Sequence, residues 1–156
     1  MSATLPPRWF VRGAWVAHKA LLRVSADRIG MSTPTPGGQF GYLRLHTVGR
    51  RSGTPRAVVL GYIEDGDRLV TLAMNGWDAA DPGWWHNLRA RPEATVDLAG
   101  GETRAVTAHE ATGDERDRLW AALHDYTGYG DLDAHAAKRG RATAVVVLSP
   151  AATSPA

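Results

Sequence analysis

Short, glycine-containing turns between strand-like segments constrain the fold of this chain more than any other feature. Segments rich in β-branched and aromatic residues are separated only by Gly49–Arg56, by Glu64–Asp67 and by Gly100–Gly101. Such connections are too short to hold the crossover helix that parallel strands need, so the strands they join must run antiparallel. Six strands are predicted, at about residues 40–48, 56–63, 68–74, 94–98, 103–110 and 142–148.

Six antiparallel strands expose unpaired backbone at their edges unless the sheet closes or is covered. We therefore predict a mainly β, α+β fold in which a six-stranded antiparallel barrel carries helices on its outside. Helices are expected at about residues 83–90 and 112–126, with a partly helical stretch at about 129–138. Thr112 and Glu115 have the spacing of a capping box at the start of the second helix. With 156 residues, 44% of them hydrophobic, the chain can build one well-buried core.

The N-terminal segment has the pattern of an amphipathic helix. Arg8, Arg12, Lys19 and Arg23 fall on one side of a helical projection, and apolar residues fall on the other. A helix docked on a protein core has this pattern, and so does a helix lying on an anionic membrane, so both interpretations stay open. We assign residues 1–31 to this helix, 39–149 to the barrel domain and 150–156 to a disordered tail.

Several classes of function are disfavoured by what the sequence lacks. The absence of cysteine excludes thiolate catalysis and cysteine-ligated metals, and the six histidines show no metal-binding spacing. No apolar run approaches 18 residues and no secretory signal is recognisable, so a cytoplasmic protein is expected, with peripheral membrane contact left open by the N-terminal helix. No pattern of a nucleic-acid-binding domain occurs, and a small-molecule ligand is expected instead.

The turn at Gly49–Arg56, which we call the arginine turn, has the composition of an anion site. It presents Arg50, Arg51 and Arg56 together with two hydroxyls, and no Asp or Glu occurs between Asp27 and Glu64. Guanidinium groups match phosphate and carboxylate oxygens with paired hydrogen bonds, and backbone N–H groups of a glycine-containing turn can add to them. The pattern predicts a site for a phosphorylated ligand; a solvated surface hairpin is the alternative.

Two aromatic clusters accompany the arginine turn. Trp84 and Trp85 stand at the start of the predicted helix at 83–90, where free N–H groups also favour anions and indoles offer flat apolar faces. At least one of the two is expected to fill the core. Tyr126 and Tyr129 are three residues apart, and a phenol can stack, donate a hydrogen bond or supply a proton. Because no nucleophile motif is present, difficult chemistry would have to come from a bound cofactor.

The run G-R-R-S-G-T-P-R at 49–56, followed by P-G-W-W-H-N-L-R-A-R-P at 82–92, resembles the deazaflavin-dependent nitroreductase and F420-dependent quinone reductase family. The resemblance implies a split β-barrel of the FMN-binding type that uses coenzyme F420. It also implies substrate-side, catalytic roles for Tyr126 and Tyr129. The residues that it implies for coenzyme binding are Arg50, Arg51, Ser52, Gly53, Arg56, Ala57, Val58, Val59, Leu60, Gly61, Ala73, Met74, Asn75, Gly83, Trp84, Trp85, His86 and Asn87.

The function expected from this resemblance is hydride transfer from reduced F420 to a planar electrophilic acceptor such as a quinone, an enone or a nitroaromatic. Tyr126, Tyr129 or solvent would supply the proton. Some family members carry a tyrosine, a serine and a lysine where this chain has Gly61, Met74 and Asn75. Two alternatives stay open: an FMN-binding split-barrel oxidoreductase, and a non-catalytic cofactor carrier or membrane-peripheral binding module.

Overall fold

The computed structural model describes residues 31–74, 80–140 and 142–151. All of them belong to one compact unit, residues 31–156. The predicted N-terminal helix, the predicted coenzyme residue Asn75 and tail residues 152–156 lie outside the described residues. The predictions made for them stay predictions.

Six antiparallel strands form a closed barrel, as predicted. The strands lie in the order β1-β2-β3-β6-β5-β4, and pairing of β1 with β4 closes the ring. β2 is longer than predicted, β3 ends two residues earlier, and β6 extends through Pro150. The strands are β1 Gly41–Val48, β2 Pro55–Asp65, β3 Arg68–Leu72, β4 Glu93–Asp97, β5 Thr103–Glu110 and β6 Val145–Pro150.

The described helices are α1 Gly83–Ala90, α2 Gly113–His124 and α3 Leu132–Arg139, with short 3-10 turns at Ala99–Gly101 and Thr127–Tyr129. The predicted capping box is wrong. Thr112 precedes α2 without a side-chain capping bond, and the carboxylate of Glu115 binds Arg68 and His109 instead. The guanidinium of Arg68 binds a carboxylate more strongly than a neutral backbone N–H does, so Glu115 turns away from the helix start.

The apolar run of β6 divides between two cores. Val146 and Leu148 belong to the cluster inside the barrel, which we call the interior cluster. Val145 and Val147 belong to a second cluster beneath α2 and α3, which we call the outer cluster. All four side chains are fully buried. A strand covered on both faces needs apolar residues at consecutive positions, which explains the unbroken Val145–Leu148 run. The second cluster fixes the helices and the Thr127–Tyr129 turn to the outside of the barrel.

Two further observations bear on the kind of site that the molecule holds. Among the described residues, no helix is long and apolar enough to cross a membrane. The same part of the chain contains no group of three His, Cys, Asp or Glu side chains arranged to hold a metal ion.

Candidate active site

The arginine turn is held in shape by its own backbone. Gly49 N–H donates to the carbonyl of Thr54 and Gly53 N–H donates to the carbonyl of Gly49, each at 2.9 Å. Gly53 has a φ of 67°, in the left-handed region that favours glycine. A Cβ atom at Gly49 would lie 2.6 Å from Ser52 Oγ. The backbone of the turn therefore favours glycine at position 53, and a side chain at position 49 would displace the Ser52 hydroxyl.

Asn87 of α1 fixes the arginine turn to the barrel. Its Oδ1 accepts a hydrogen bond from Arg50 N–H at 3.1 Å, and its Nδ2 donates to Thr47 Oγ1 at 3.3 Å. Asn87 and Thr47 are both buried. Because both ends of the amide are bound to the protein, Asn87 orients the turn; the coenzyme contact implied by the resemblance stays a prediction.

The guanidinium-bearing residues Arg50, Arg51 and Arg56 are all exposed. The ion pairs of the described chain lie elsewhere, and no described carboxylate pairs with these three arginines. Their hydrogen-bonding capacity is therefore available to an external anion. Each charge-assisted bond that such an anion formed would contribute about 1.5–3 kcal/mol.

An open cavity of about 590 Å³ adjoins the arginine turn. Nine of the residues predicted to bind the coenzyme line it: Arg50, Arg51, Ser52, Arg56, Ala57, Val58, Gly83, Trp84 and Asn87. Four lining residues were missed by the sequence reasoning, namely Thr47, Gly49, Asp81 and Pro82. Gly49 and Pro82 stand at the ends of the two recognised motifs, a signal that could have identified them. Thr47 and Asp81 flank the same two motifs, and their contacts with Asn87 and Arg139 in the cavity wall are long-range and leave no local sequence signal.

The carboxylate of Asp81 lies in this cavity wall but is paired with Arg139 of α3. The two groups are 2.5 Å apart, and their side chains are 8% and 0% exposed. Arg139 also donates to Thr143 Oγ1 at 3.1 Å. A paired carboxylate opposes a bound anion much less than an isolated one does, because its charge is offset at short range. The cavity therefore keeps a positive character despite Asp81.

The predicted coenzyme residues of β2 divide between two faces of the barrel. Val58 and Leu60 pack against the interior cluster. Ala57, Val59 and Gly61 face outward, because side chains alternate along a strand. Gly61 pairs in register with Tyr42 of β1, and the exposed large apolar side chains of the described residues are Tyr42 at 42% and Val59 at 49%. We call Tyr42, Ala57, Val59 and Gly61 the outer strip; it leads away from the arginine turn.

The remaining predicted residues near α1 and β3 do not line the cavity. Trp85 is buried in the interior cluster beside Trp84, so the expectation that at least one tryptophan fills the core is confirmed. Arg89 lies over the Trp85 ring at 5.7 Å and hydrogen-bonds to His86 Nδ1 at 3.3 Å. Of the others, Ala73 is buried in the interior cluster, Met74 packs on the outer cluster, and Gly53 lies at the tip of the arginine turn.

The two tyrosines with predicted catalytic roles lie in the outer cluster, away from the cavity wall. Tyr126 is 7% exposed and Tyr129 is 6% exposed. Burial raises the pKa of both phenols, so each stays protonated at neutral pH. Among the described residues, the Tyr129 hydroxyl is the buried side-chain polar atom that lacks a hydrogen-bond partner. An unpartnered buried group of this kind costs about 1–3 kcal/mol of stability.

A cofactor with a phosphate at one end and a planar ring at the other fits this arrangement. The arginine turn supplies guanidinium and hydroxyl groups for the anion, and the outer strip supplies apolar contact for a ring. The Tyr129 hydroxyl supplies a neutral hydrogen-bond donor. The described residues thus provide an anchor, a flat surface and a donor.

Comparison with known proteins identifies relatives that are described as F420H(2)-dependent quinone reductases. The family profile described as F420H(2)-dependent quinone reductase matches residues 18–150. The F420H(2)-dependent quinone reductase of Mycobacterium tuberculosis strain H37Rv is 35% identical over 133 residues, covering 78% of this chain and 87% of the relative.

Solved structures give the same fold. An F420-H2 dependent reductase, FDR-A, superposes with a TM-score of 0.61 at 27% identity, covering 69% of this chain and 93% of that one. HutZ, a heme storage protein from Vibrio cholerae, has a TM-score of 0.53 at 14% identity, covering 72% of this chain and 82% of its own. The second likeness concerns the fold alone, so the barrel by itself does not specify a cofactor.

Proposed function

Because this chain belongs to the F420H(2)-dependent quinone reductase family and is an F420-dependent oxidoreductase, we propose that it reduces a planar electrophilic acceptor. A quinone is the first candidate, and enones and nitroaromatics are the others. The observation that carries the proposal is the arginine turn, whose three exposed guanidinium groups have no carboxylate partner among the described residues. Anchoring of an anionic coenzyme at that turn would leave the outer strip for the ring and the acceptor.

Arg50, Arg51 and Arg56 would hold the phosphate and the acidic tail of the coenzyme. Ser52 Oγ accepts a hydrogen bond from Thr54 N–H at 3.1 Å and keeps its own proton for a phosphate oxygen. Asn87 keeps the turn in place by binding Arg50 N–H. These residues contribute affinity and orientation rather than reacting groups.

When bound, reduced F420 supplies a hydride as a two-electron donor. Reduction of a quinone to a quinol then requires one further proton. Tyr129 can donate a hydrogen bond to an acceptor oxygen that becomes negative, because burial raises the pKa of its phenol and keeps the proton in place. Release of that proton would leave a buried phenolate, so we assign the net proton to water and the stabilising hydrogen bond to Tyr129.

The test combines a binding titration with a turnover assay. F420 added to the purified protein should change the coenzyme fluorescence with a saturable, salt-sensitive isotherm, because guanidinium–phosphate attraction is screened by ions. Reduced F420 with a naphthoquinone should give stoichiometric oxidised coenzyme and quinol. Binding without turnover across quinones, enones and nitroaromatics would contradict the reductase proposal and favour a carrier. Isolation of the protein with bound FMN, visible in its absorption spectrum, would contradict the coenzyme assignment.

A further inference from the structure

Phe40, which precedes β1, is clamped between two glycines from distant parts of the chain. A Cβ atom at Gly61 of β2 would lie 2.6 Å from Phe40 Cε2, and one at Gly128 would lie 2.6 Å from Phe40 Cε1. Real Cβ atoms do not approach other atoms so closely, so any larger residue at either position would displace the ring. The two edges of the Phe40 ring are therefore fixed by backbone on both sides.

The chain that carries Phe40 is also fixed to the turn that carries Tyr129. Thr127 donates two hydrogen bonds to the carbonyl of Gly38, from its N–H at 2.9 Å and from its Oγ1 at 3.2 Å. Thr35 N–H donates to the carbonyl of Gln39 at 2.9 Å and closes the loop locally. Phe40 and the Thr127–Tyr129 turn consequently form one structural unit, although 87 residues separate Phe40 from Thr127 in sequence.

Within this unit, Phe40 stacks on Tyr129. Their ring centroids are 4.5 Å apart and their planes differ by 27°. Tyr42 of the outer strip meets Phe40 edge-on, with centroids 5.3 Å apart and an angle of 68°. The O–H bond of a phenol prefers the plane of its ring, so a neighbour that fixes the ring plane restricts the O–H bond to two in-plane orientations, while the oxygen stays on the ring axis.

The Tyr129 hydroxyl ends without a partner, although polar atoms in protein interiors nearly always find one. The ring is 6% exposed, so bulk water does not surround it. Tyr42 and Gly61, the outward residues that contact Phe40, connect this position to the outer strip. Phe40 thus contacts both the exposed strip and Tyr129, the residue that carries the orphaned hydroxyl.

We propose that Phe40 is a positioning residue for the reductase reaction: its clamped ring holds the Tyr129 ring in one place and one plane, and so aligns the Tyr129 O–H bond with the acceptor oxygen. The inference rests on the proposed function, since it assigns the hydrogen bond of Tyr129 to the acceptor. Phe40 itself touches neither the acceptor oxygen nor the anionic end of the coenzyme. Its contribution should therefore vanish when the hydroxyl that it directs is absent.

A double-mutant cycle tests this dependence. Phe40→Leu removes the flat ring while keeping apolar volume, and Tyr129→Phe removes the hydroxyl while keeping the stack. We expect Phe40→Leu to lower kcat with a naphthoquinone about 10-fold in the Tyr129 background and less than about 2-fold in the Tyr129→Phe background. The Kd for F420 should stay within about 2-fold in all variants, because the arginine turn is unchanged. Phe40→Met, which also lacks a flat ring but adapts to irregular spaces, serves as the second variant if the leucine variant does not fold.

Fluorine NMR of fluorotyrosine-labelled protein gives a readout that does not depend on turnover. The chain has four tyrosines, and the Tyr129→Phe variant assigns the Tyr129 signal by its loss. Phe40→Leu should shift and broaden that signal in the coenzyme-free protein. The matched control is Trp120→Leu, which removes another aromatic ring from the same outer cluster. Trp120→Leu should leave the Tyr129 signal unchanged, and its effect on kcat should be the same with and without the Tyr129 hydroxyl.

Equal loss of kcat from Phe40→Leu in both backgrounds would overturn the inference, because Phe40 would then act independently of the hydroxyl. Unchanged kcat in both the leucine and the methionine variants would overturn it too. In either case the unaltered protein would still bind F420 and reduce quinone, so the proposed function would survive. Failure of the unaltered protein to turn over would instead overturn the proposed function and this inference together.

Discussion

The arginine turn and the Phe40–Tyr129 region divide the site into two parts with opposite physical character. The turn is exposed and charged, and its arginines have no described ion-pair partner. The Phe40–Tyr129 region is apolar and largely buried, with one unpartnered hydroxyl. β2 joins them, since Arg56 and Gly61 lie on the same strand. Under the proposed function, affinity for the coenzyme would depend on the arginine turn and chemistry toward the acceptor on the Phe40–Tyr129 region, so substitutions should separate the two.

The largest effect should come from removing two guanidinium groups of the turn. Arg51→Ala with Arg56→Ala should weaken F420 binding by about 3–5 kcal/mol, roughly 100-fold or more in Kd, because charge-assisted bonds are lost. The melting temperature should change little, since both side chains are exposed. Isothermal titration or fluorescence measures the change. Unchanged affinity for F420 would show that the arginine turn does not bind the anionic end of the coenzyme.

Asn87→Ala probes how far the turn depends on α1. The variant leaves Arg50 N–H and the Thr47 hydroxyl without their shared partner, at a cost of about 1–3 kcal/mol in unfolding free energy. We expect weaker F420 binding with unchanged kcat at saturating coenzyme, because the turn loosens while Tyr129 is untouched. Urea denaturation and coenzyme titration measure the two effects. Thr47→Val is the matched control, since it removes the second partner of Asn87 without changing charge and leaves the bond to Arg50 N–H. Equal loss of F420 affinity in both variants would argue against a role for that bond.

Tyr129→Phe should act in the opposite sense on stability and activity. Loss of an unpartnered buried hydroxyl should raise the unfolding free energy by about 1 kcal/mol. The same change should lower kcat about 10-fold, the effect of one hydrogen bond worth about 1.4 kcal/mol in the transition state. Calorimetry and steady-state kinetics check the pair of effects. A variant with lower stability would show that the hydroxyl has a partner in solution.

Asp65 has no proposed role in either part of the site, and its substitution should have the smallest effect, on stability alone. Hydrogen bonds from Arg118 and Arg68 lower the pKa of its carboxyl from 3.8 to about 2. Because the folded pKa lies below the unfolded one, the contribution to stability is complete above about pH 4 and disappears as pH falls toward 2. Asp65→Asn should cost about 1 kcal/mol at pH 7, reduced by solvent screening at Arg118, and should leave F420 affinity unchanged. Denaturation at pH 7 and at pH 2.5 checks the difference.

The barrel was predictable because turn length and strand alternation are local properties. The turns at Gly49–Arg56 and Gly100–Gly101 excluded parallel connections, and the strands appeared within a few residues of the predicted bounds. The anion-binding composition of the arginine turn was equally local. Thr47 and Asp81 were not assigned to the cavity, although each lies within two residues of a recognised motif. Nothing in the sequence shows that Asn87 binds Thr47 or that Arg139 pairs with Asp81.

Phe40 was missed for a related reason. Its proposed role depends on the absence of side chains at Gly61 and Gly128. The sequence around Phe40 does not show that these two glycines contact its ring. Glu115 was misassigned because a capping-box spacing does not reveal that Arg68 and His109 compete for the same carboxylate. Features that depend on one helix, strand or turn could be predicted from the sequence. Competition between elements for the same side chain, as at Glu115, could not be predicted.

Closure of the barrel has a consequence for how such proteins change over time. Each described strand already has two neighbours, so the hydrogen-bond ladder does not depend on which side chains face outward from β1 and β2. Residues such as Val59 and Tyr42 can be exchanged without breaking a backbone bond. If the acceptor lies on the outer strip, as proposed, single substitutions there would change the preference among electron acceptors and leave the barrel backbone intact.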